Sequence, residues 1–164
     1  MPPEPADLLK IALDTLRGHP FGFLSTLGRE RVHTRLVEHL GVDDDAGVWI
    51  GTSPRSRKVT QVAARPEVTY AAEDREGVGA VALHARARVV TDERERAARW
   101  RDDLSAFFPD GPHGDDFVLL ALRPYRIELM NFAHGVHPDP YGLVPAVIAW
   151  DGDGWRTVPA ERRA

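Results

Sequence analysis

The chain has 164 residues, of which 43% are hydrophobic and 28% charged, and its formal net charge is -4 at pH 7. This size and composition predict one globular domain with a hydrophobic core, and the acidic balance argues against general binding to nucleic acid or other polyanions. Cysteine is absent, which excludes disulfides, thiolate nucleophiles and cysteine-ligated zinc. No signal peptide and no apolar run long enough to span a bilayer is recognisable, so we expect a cytoplasmic protein with no membrane partner.

Helical periodicity is clearest near the N-terminus. Leu9, Leu13 and Leu16 recur at helical spacing, and Asp7 precedes them as the expected cap. Two later segments are also predicted to be helical, because proline, glycine and capping residues mark their ends. The three predicted helices therefore lie after Asp7 up to Gly18, over residues 55–65, and over residues 92–107.

Seven short runs rich in β-branched and aromatic residues have the character of strands. They cover residues 21–27, 31–40, 47–52, 67–73, 79–90, 117–122 and 125–132. So many short strands in a chain of this size indicate a barrel or a sandwich, and two helical interruptions favour an α+β class with a mostly antiparallel sheet. Two later runs around "DGDG" indicate a terminal hairpin.

Alternation within the strands predicts which side chains face the core. In the run 79–90, the odd-numbered residues from Val81 to Val89 are apolar and are expected inside. In the run 31–40, the cationic face is expected to be solvated and comprises Arg31, His33, Arg35 and His39. Core packing is also predicted for the aromatic residues of the third helix, Trp100, Phe107 and Phe108.

The stretch "GTSPRSRKV", residues 51–59, joins the end of a predicted strand to the start of a predicted helix. Arg55, Arg57 and Lys58 are unfavourable beside the positive end of a helix dipole, by about 0.3 to 1 kcal/mol each at an exposed site. A bound dianion would reverse that cost, because helix N-termini expose N–H groups and arginine offers a planar fork for phosphate oxygens. Thr52 and Ser56 add hydroxyl donors. We therefore predict a phosphate-binding cradle.

Several common catalytic and binding motifs are absent. The cradle lacks the glycine-rich loop of nucleoside triphosphatases, and no G-x-G-x-x-G follows a strand. No G-x-S-x-G elbow or H-E-x-x-H zinc motif occurs, and no metal site is expected. The acidic run "GVDDDAG" at 41–47 lacks calcium-loop spacing and is expected to be a hairpin turn.

The order and spacing of several blocks resemble the pyridoxamine 5'-phosphate oxidase-like FMN-binding split-barrel family, and within it the general stress protein 26-type branch. These blocks are "FGFLST", "HTRLV", "VWIGTSPRSRKVTQVAARPEVTY", "VALHARARVVTD", "FFPDG" and "FVLLALRPYRIEL". The resemblance implies a split β-barrel of six to eight mostly antiparallel strands in Greek-key order with a few peripheral helices. The implied organisation is an N-terminal helix at 1–20, an FMN-binding barrel domain at 21–132, and an extension with a β-hairpin at 133–164.

The resemblance also implies a cofactor, a partner and a set of site residues. Its FMN would sit at the interface of a homodimer, and the activity would be oxidation or reduction of a small organic substrate. The implied cofactor-binding residues are Arg35, Ser56, Arg57 and Lys58 on the phosphate, Thr52 near the flavin, and the backbone of Leu36 and Val37 along the ring.

Departures from the family pattern keep other functions open. The final strand "IELMNF" lacks the tryptophan of many relatives, and the tail lacks the Arg-x-His arrangement of a genuine pyridoxamine phosphate oxidase, so vitamin B6 synthesis is not expected. The same fold could hold the deazaflavin F420, or haem through a loop histidine such as His134 or His137. A non-catalytic flavin binder with a role in stress response is the third possibility.

Overall fold

The computed structural model describes residues 3–138 and 144–160. Its helices are α1 (Pro5–Gly18), α2 (Arg57–Ala64) and α3 (Glu93–Ala98), followed by a 3-10 helix at Asp102–Ala106. Its strands are β1 (Phe21–Leu27), β2 (Val32–Val42), β3 (Val48–Thr52), β4 (Glu67–Asp74), β5 (Gly79–Val90), β6 (Val118–Asn131), β7 (Ala146–Trp150) and β8 (Trp155–Thr157). Within these ranges, no helix has both the length and the apolar character needed to cross a membrane.

The strands form one antiparallel sheet that closes on itself. Neighbouring strands follow the order β3-β2-β1-β4-β5-β6-β7-β8, and an additional β3–β6 pairing closes the first six strands into a barrel. Because β4 returns to pair with β1 rather than with β3, the connection has Greek-key character. The α+β split-barrel prediction is confirmed, and β7 and β8 extend the sheet beyond the barrel.

Helix α1 packs its apolar stripe on the sheet, although its start and its stripe differ from the prediction. It begins at Pro5, with Glu4 and not Asp7 in the cap position, because proline is pre-organised for the first helical turn. Leu8 is buried in the main core and Leu9 is only half-buried. The inward stripe is therefore rotated by one residue at the N-terminal end of the helix.

One strand, β6, replaces the two strands predicted on either side of Pro124. Its first half pairs with β3 and its whole length with β5, and the pairing shifts register where Pro124 lies opposite Ala85. A bulge tolerates a residue that has no N–H group for the ladder. The proline therefore interrupts the register without ending the strand.

The third predicted helix is also divided. Asp92 caps α3 as expected, because its carboxylate accepts a hydrogen bond from the N–H of Glu95 at 2.9 Å. Trp100 and Phe108 pack on Phe117, with ring centroids 5.1 and 5.0 Å away. The prediction that Phe107 is buried is wrong, since 75% of it is exposed. The change from α3 to the 3-10 helix removes the regular helical spacing on which that prediction depended.

His39 corrects the expectation of a solvated cationic face on β2. It is buried inside the barrel, where its Nδ1 lies 2.7 Å from the Tyr70 hydroxyl and its Nε2 lies 2.9 Å from the carbonyl oxygen of Leu16. A carbonyl only accepts, so Nε2 donates to Leu16 and the Tyr70 hydroxyl donates to Nδ1. Burial lowers the pKa of His39 below its ordinary value. The imidazole is therefore a neutral part of the core.

A buried neutral histidine makes the stability of the fold depend on pH. The folded-state pKa of His39 lies below the unfolded value of 6.5. The stability that the neutral imidazole contributes to the fold is therefore fully present above pH 6.5 and is lost as the pH falls below it. In the His39→Gln variant, we expect a lower free energy of unfolding at pH 8 and a smaller loss between pH 7 and pH 5. Urea denaturation at several pH values measures the free energy of unfolding of both proteins. A difference between variant and wild type that stays constant with pH would contradict the assignment of His39 as a buried neutral group.

Candidate functional site

The junction between β3 and α2 brings hydroxyl groups and cations together at one helix start. Thr52, the last residue of β3, is buried, and its Oγ1 lies 3.3 Å from the Oγ of Ser56. Ser56 occupies the cap position of α2, and its hydroxyl contacts Thr52 instead of capping the helix. Arg57 and Lys58 begin the helix, and Arg55 lies in the preceding turn instead of in the helix. The first N–H groups of a helix have no partner within it.

Arg35 reaches this junction from the neighbouring strand β2. Its Nη1 donates to the carbonyl oxygen of Leu24 at 3.1 Å and to Oγ1 of Thr26 at 2.7 Å. Its Nη2 donates to Oε1 of Gln61 on α2 at 3.2 Å. The guanidinium group therefore spans β1 and α2, and the antiparallel register that pairs Leu24 with Arg35 sets its position.

Two cations of this site, Arg35 and Lys58, have a lowered pKa. Burial, and secondly the nearby charge of Arg57, lowers the pKa of Arg35. Burial, and secondly the charge of Arg35, lowers the pKa of Lys58. Removal from water disfavours a charged group, and a like charge disfavours it further. The first effect shows that Arg35 and Lys58 are partly removed from water, and the second shows that other positive charges lie nearby.

The site also lacks counter-charges of its own. Among residues 3–138 and 144–160, no carboxylate forms an ion pair with Arg35, Arg55, Arg57 or Lys58 within 4.0 Å. Several arginines elsewhere do have a carboxylate partner, as in Arg86–Glu67, Arg88–Glu95, Arg99–Asp43 and Arg101–Glu38. A concentrated, partly desolvated positive charge with hydroxyl and N–H donors is suited to binding an anionic oxygen group such as a phosphate ester. We call Arg35, Thr52, Ser56, Arg57 and Lys58 the cradle.

The two residues after Arg35 point to opposite sides of β2. Val37 is half-buried against the main core, whereas 58% of Leu36 is exposed. Only the backbone of this pair can lie along one ligand, as the sequence resemblance implies. Leu36 belongs to a larger exposed apolar face on β1 and β2, which we call the outer face and which comprises Phe21, Phe23, Leu27, Val32 and Leu36.

Sequence reasoning missed two residues at this site, Thr26 and Gln61. The hydroxyl group of Thr26 accepts from Arg35 and donates to Oε1 of Gln61 at 2.6 Å. Gln61 follows Arg57 by four residues on α2, a spacing that places both on the same side of a helix. That spacing was a usable signal for Gln61, whereas the position of Thr26 depends on how β1 pairs with β2.

Two loop histidines and the acidic hairpin contact other side chains of the protein. Nδ1 of His113 lies 2.5 Å from a carboxylate oxygen of Glu93, and the ring of His137 stacks on Phe132 with centroids 5.0 Å apart. The acidic run forms a hairpin turn, in which Asp43 pairs with Arg99 and accepts from the indole of Trp49. In the part of the chain that the structure describes, no group of three His, Cys, Asp or Glu residues could hold a metal ion.

Solved structures share this fold. A pyridoxamine 5'-phosphate oxidase-related, FMN-binding protein from Nostoc punctiforme has a TM-score of 0.73 at 17% identity, with 96% of each chain covered. PhzG from Burkholderia lata, solved with tetrahydrophenazine-1-carboxylic acid, has a TM-score of 0.70 at 21% identity, covering 96% of this chain and 92% of PhzG. A Clostridium acetobutylicum protein related to general stress protein 26 has a TM-score of 0.70 at 14% identity, covering 78% of this chain and 91% of its own.

The family itself is established by sequence. No curated protein matches the chain. The sequence model described as pyridoxamine 5'-phosphate oxidase matches residues 9–131, a range that runs from α1 to the end of β6 and contains the whole cradle. The chain therefore belongs to the pyridoxamine 5'-phosphate oxidase family.

Proposed function

We propose that this protein is a homodimeric, FMN-binding oxidoreductase that acts on a small organic substrate. The observation that carries the proposal is the uncompensated positive charge of Arg35, Arg57 and Lys58 at the start of α2. Within this family, a phosphate monoester on a flavin is the anion that best explains such a cluster. The description of the Nostoc relative as FMN-binding supports the same cofactor here.

The chemistry of the donor set fits the phosphate of FMN. Arg35 and Arg57 offer guanidinium groups, Lys58 offers an ammonium group, and Ser56 offers a hydroxyl. Each hydrogen bond from a charged donor to a phosphate oxygen contributes roughly 1.5 to 3 kcal/mol. A dianion at this position would also interact favourably with the dipole of α2.

In this proposal, the chain binds and positions the cofactor, and the cofactor carries out the redox chemistry. When bound, the flavin would supply hydride transfer, so the chain needs no nucleophile or metal of its own. The cradle residues anchor the cofactor by its phosphate, and the backbone at Leu36 and Val37 would support the ring. The structure of PhzG with tetrahydrophenazine-1-carboxylic acid supports a small organic ring compound as the substrate here.

The outer face supports a second copy of this chain as the partner. Phe23 lies opposite Leu36 and Leu27 lies opposite Val32 in the β1–β2 ladder, which makes the apolar surface continuous. Between these pairs, the hydroxyls of Ser25 and Thr34 bond each other at 2.8 Å, so burying the face leaves neither of them unsatisfied. Contiguous apolar faces are rare on monomers, and two-fold dimers bury the same face on both subunits.

The first experiment is the absorption spectrum of the purified protein, followed by anaerobic mixing with NAD(P)H. Flavin bands that bleach on mixing and return with an organic acceptor support an oxidoreductase. Flavin bands without turnover support the non-catalytic binder, a Soret band supports haem, and a deazaflavin spectrum supports F420. The cytoplasmic location inferred from sequence stays a prediction.

The cradle predicts a large and selective loss of flavin affinity in one double variant. Arg35→Ala with Lys58→Ala should weaken FMN binding by about 3 kcal/mol or more, which is over a hundredfold, since two charge-assisted contacts are lost. Riboflavin, which has no phosphate, should bind the variant and the wild type equally. Fluorescence quenching measures both affinities.

A matched double variant controls for net charge. Arg75→Ala with Arg94→Ala removes two exposed arginines outside the cradle and should leave FMN affinity unchanged. Equal FMN binding by the cradle variant and the wild type would show that the phosphate is not held here.

If the outer face is the dimer interface, one charged substitution on it should separate the subunits. Leu36→Glu should convert the dimer to a monomer, because two carboxylates would be buried at a two-fold interface. Sedimentation velocity at micromolar concentration measures the change. Val78→Glu is the control, since Val78 is 65% exposed but lies in the β4–β5 hairpin outside the face. A wild-type protein that sediments as a monomer would refute the interface.

A further inference from the structure

Arg35 is held in place by three acceptors, none of which is charged. Oγ1 of Thr26 and the carbonyl oxygen of Leu24 accept from Nη1 at 2.7 and 3.1 Å, and Oε1 of Gln61 accepts from Nη2 at 3.2 Å. Thr26 is only 1% exposed, and it donates its own proton to the same Gln61 oxygen at 2.6 Å. The guanidinium, the hydroxyl and the amide therefore form a closed three-membered network.

Neutral acceptors hold Arg35 without cancelling its positive charge, whereas carboxylates would cancel it. Arg99 and Arg101 are also partly buried, and Asp43 and Glu38 hold them at 2.9 Å. Those pairs orient the arginine but cancel its charge. At Arg35 the orientation is retained and the whole positive charge remains available to a ligand.

The network also determines the orientation of the Gln61 amide. Its Oε1 receives hydrogen bonds from both Thr26 and Arg35, so the amide oxygen must face them and Nε2 must point away. Among the described residues, Nε2 has no hydrogen-bond partner, which leaves another neutral donor on the helix that carries Arg57 and Lys58. A glutamate at this position would keep the acceptor and lose both the donor and the electrical neutrality.

We propose that Thr26 and Gln61 are positioning residues that fix Arg35 without neutralising it, and that they thereby set the preference of the site for FMN over riboflavin. The inference rests on the proposed function, because it assumes that the ligand is a flavin and that Arg35 contacts its phosphate. It adds a specificity mechanism, in which the side chains that select the phosphorylated flavin include two that carry no charge.

Three substitutions at two positions test the two parts of this mechanism. Thr26→Val keeps the shape of the side chain and removes the hydroxyl, whereas Thr26→Ser keeps the hydroxyl and removes a methyl group. Gln61→Glu keeps an acceptor for Arg35 and adds a negative charge. The measurement is the ratio of riboflavin to FMN dissociation constants for each purified protein, with thermal stability recorded in parallel.

The expected result is a fall in that ratio of about tenfold for Thr26→Val, the usual effect of one lost hydrogen bond on a charged group. Thr26→Ser should restore the wild-type ratio. Gln61→Glu should lower it at least as much as Thr26→Val, even though its hydrogen bonds are kept. A purely structural role would lower the melting temperature or weaken both flavins equally, and would leave the ratio unchanged.

The outcomes separate this inference from the proposed function. A wild type that prefers FMN, together with Thr26→Val and Gln61→Glu variants that keep its ratio, overturns the inference and leaves the cofactor assignment in place. A wild type that binds neither flavin, or binds both equally, overturns both. If Thr26→Val does not fold, Gln61→Glu decides alone, since Gln61 is only half-buried on α2.

Discussion

The partial burial of Arg35 and Lys58 close to other positive charges is the electrostatic constraint on which the candidate site depends. Arg35 and Lys58 would be more stable in water or beside a carboxylate, yet the fold partly buries them near another cation and without one. Such a cluster persists only when the surrounding structure enforces it, and enforced electrostatic cost is typical of binding sites. An anion bound to this cluster would stabilise the folded state, because a ligand that binds only the native form shifts the folding equilibrium towards it.

The closed barrel is what enforces this proximity. Pairing between β1 and β2 places Arg35 over Leu24, and pairing between β3 and β6 fixes Thr52 against Val118. These two ladders hold the strand that carries the guanidinium and the strand that leads into α2. His39 and Tyr70 fill the interior with one neutral hydrogen bond, so the positive charge on this face of β2 is confined to the cradle end. The positions of the cradle residues therefore depend on the register of the barrel strands.

Sequence reasoning was sufficient where local chemistry decides the structure. The junction after Thr52 follows from neighbouring residues, although α2 begins at Arg57 and not at residue 55. The Greek-key barrel was implied by the family resemblance. Sequence reasoning failed on β2, because burial there is set by closure of the barrel and not by polarity: His39 points inward and Leu36 outward. Thr26 could not have been linked to Gln61, because 35 residues separate them and only the folded chain brings them together.

Strand β6 joins the barrel to the segment that follows it. Its residues pair with β3 and β5 and, from Arg126 to Leu129, with β7. The terminal hairpin therefore covers a strand edge whose N–H and C=O groups would otherwise be free. A chain shortened to end after β6 would present that edge to other molecules as a template for strand addition, and uncovered edges of this kind promote aggregation. In this protein, the C-terminal hairpin thus covers the second half of β6 while lying outside the closed barrel.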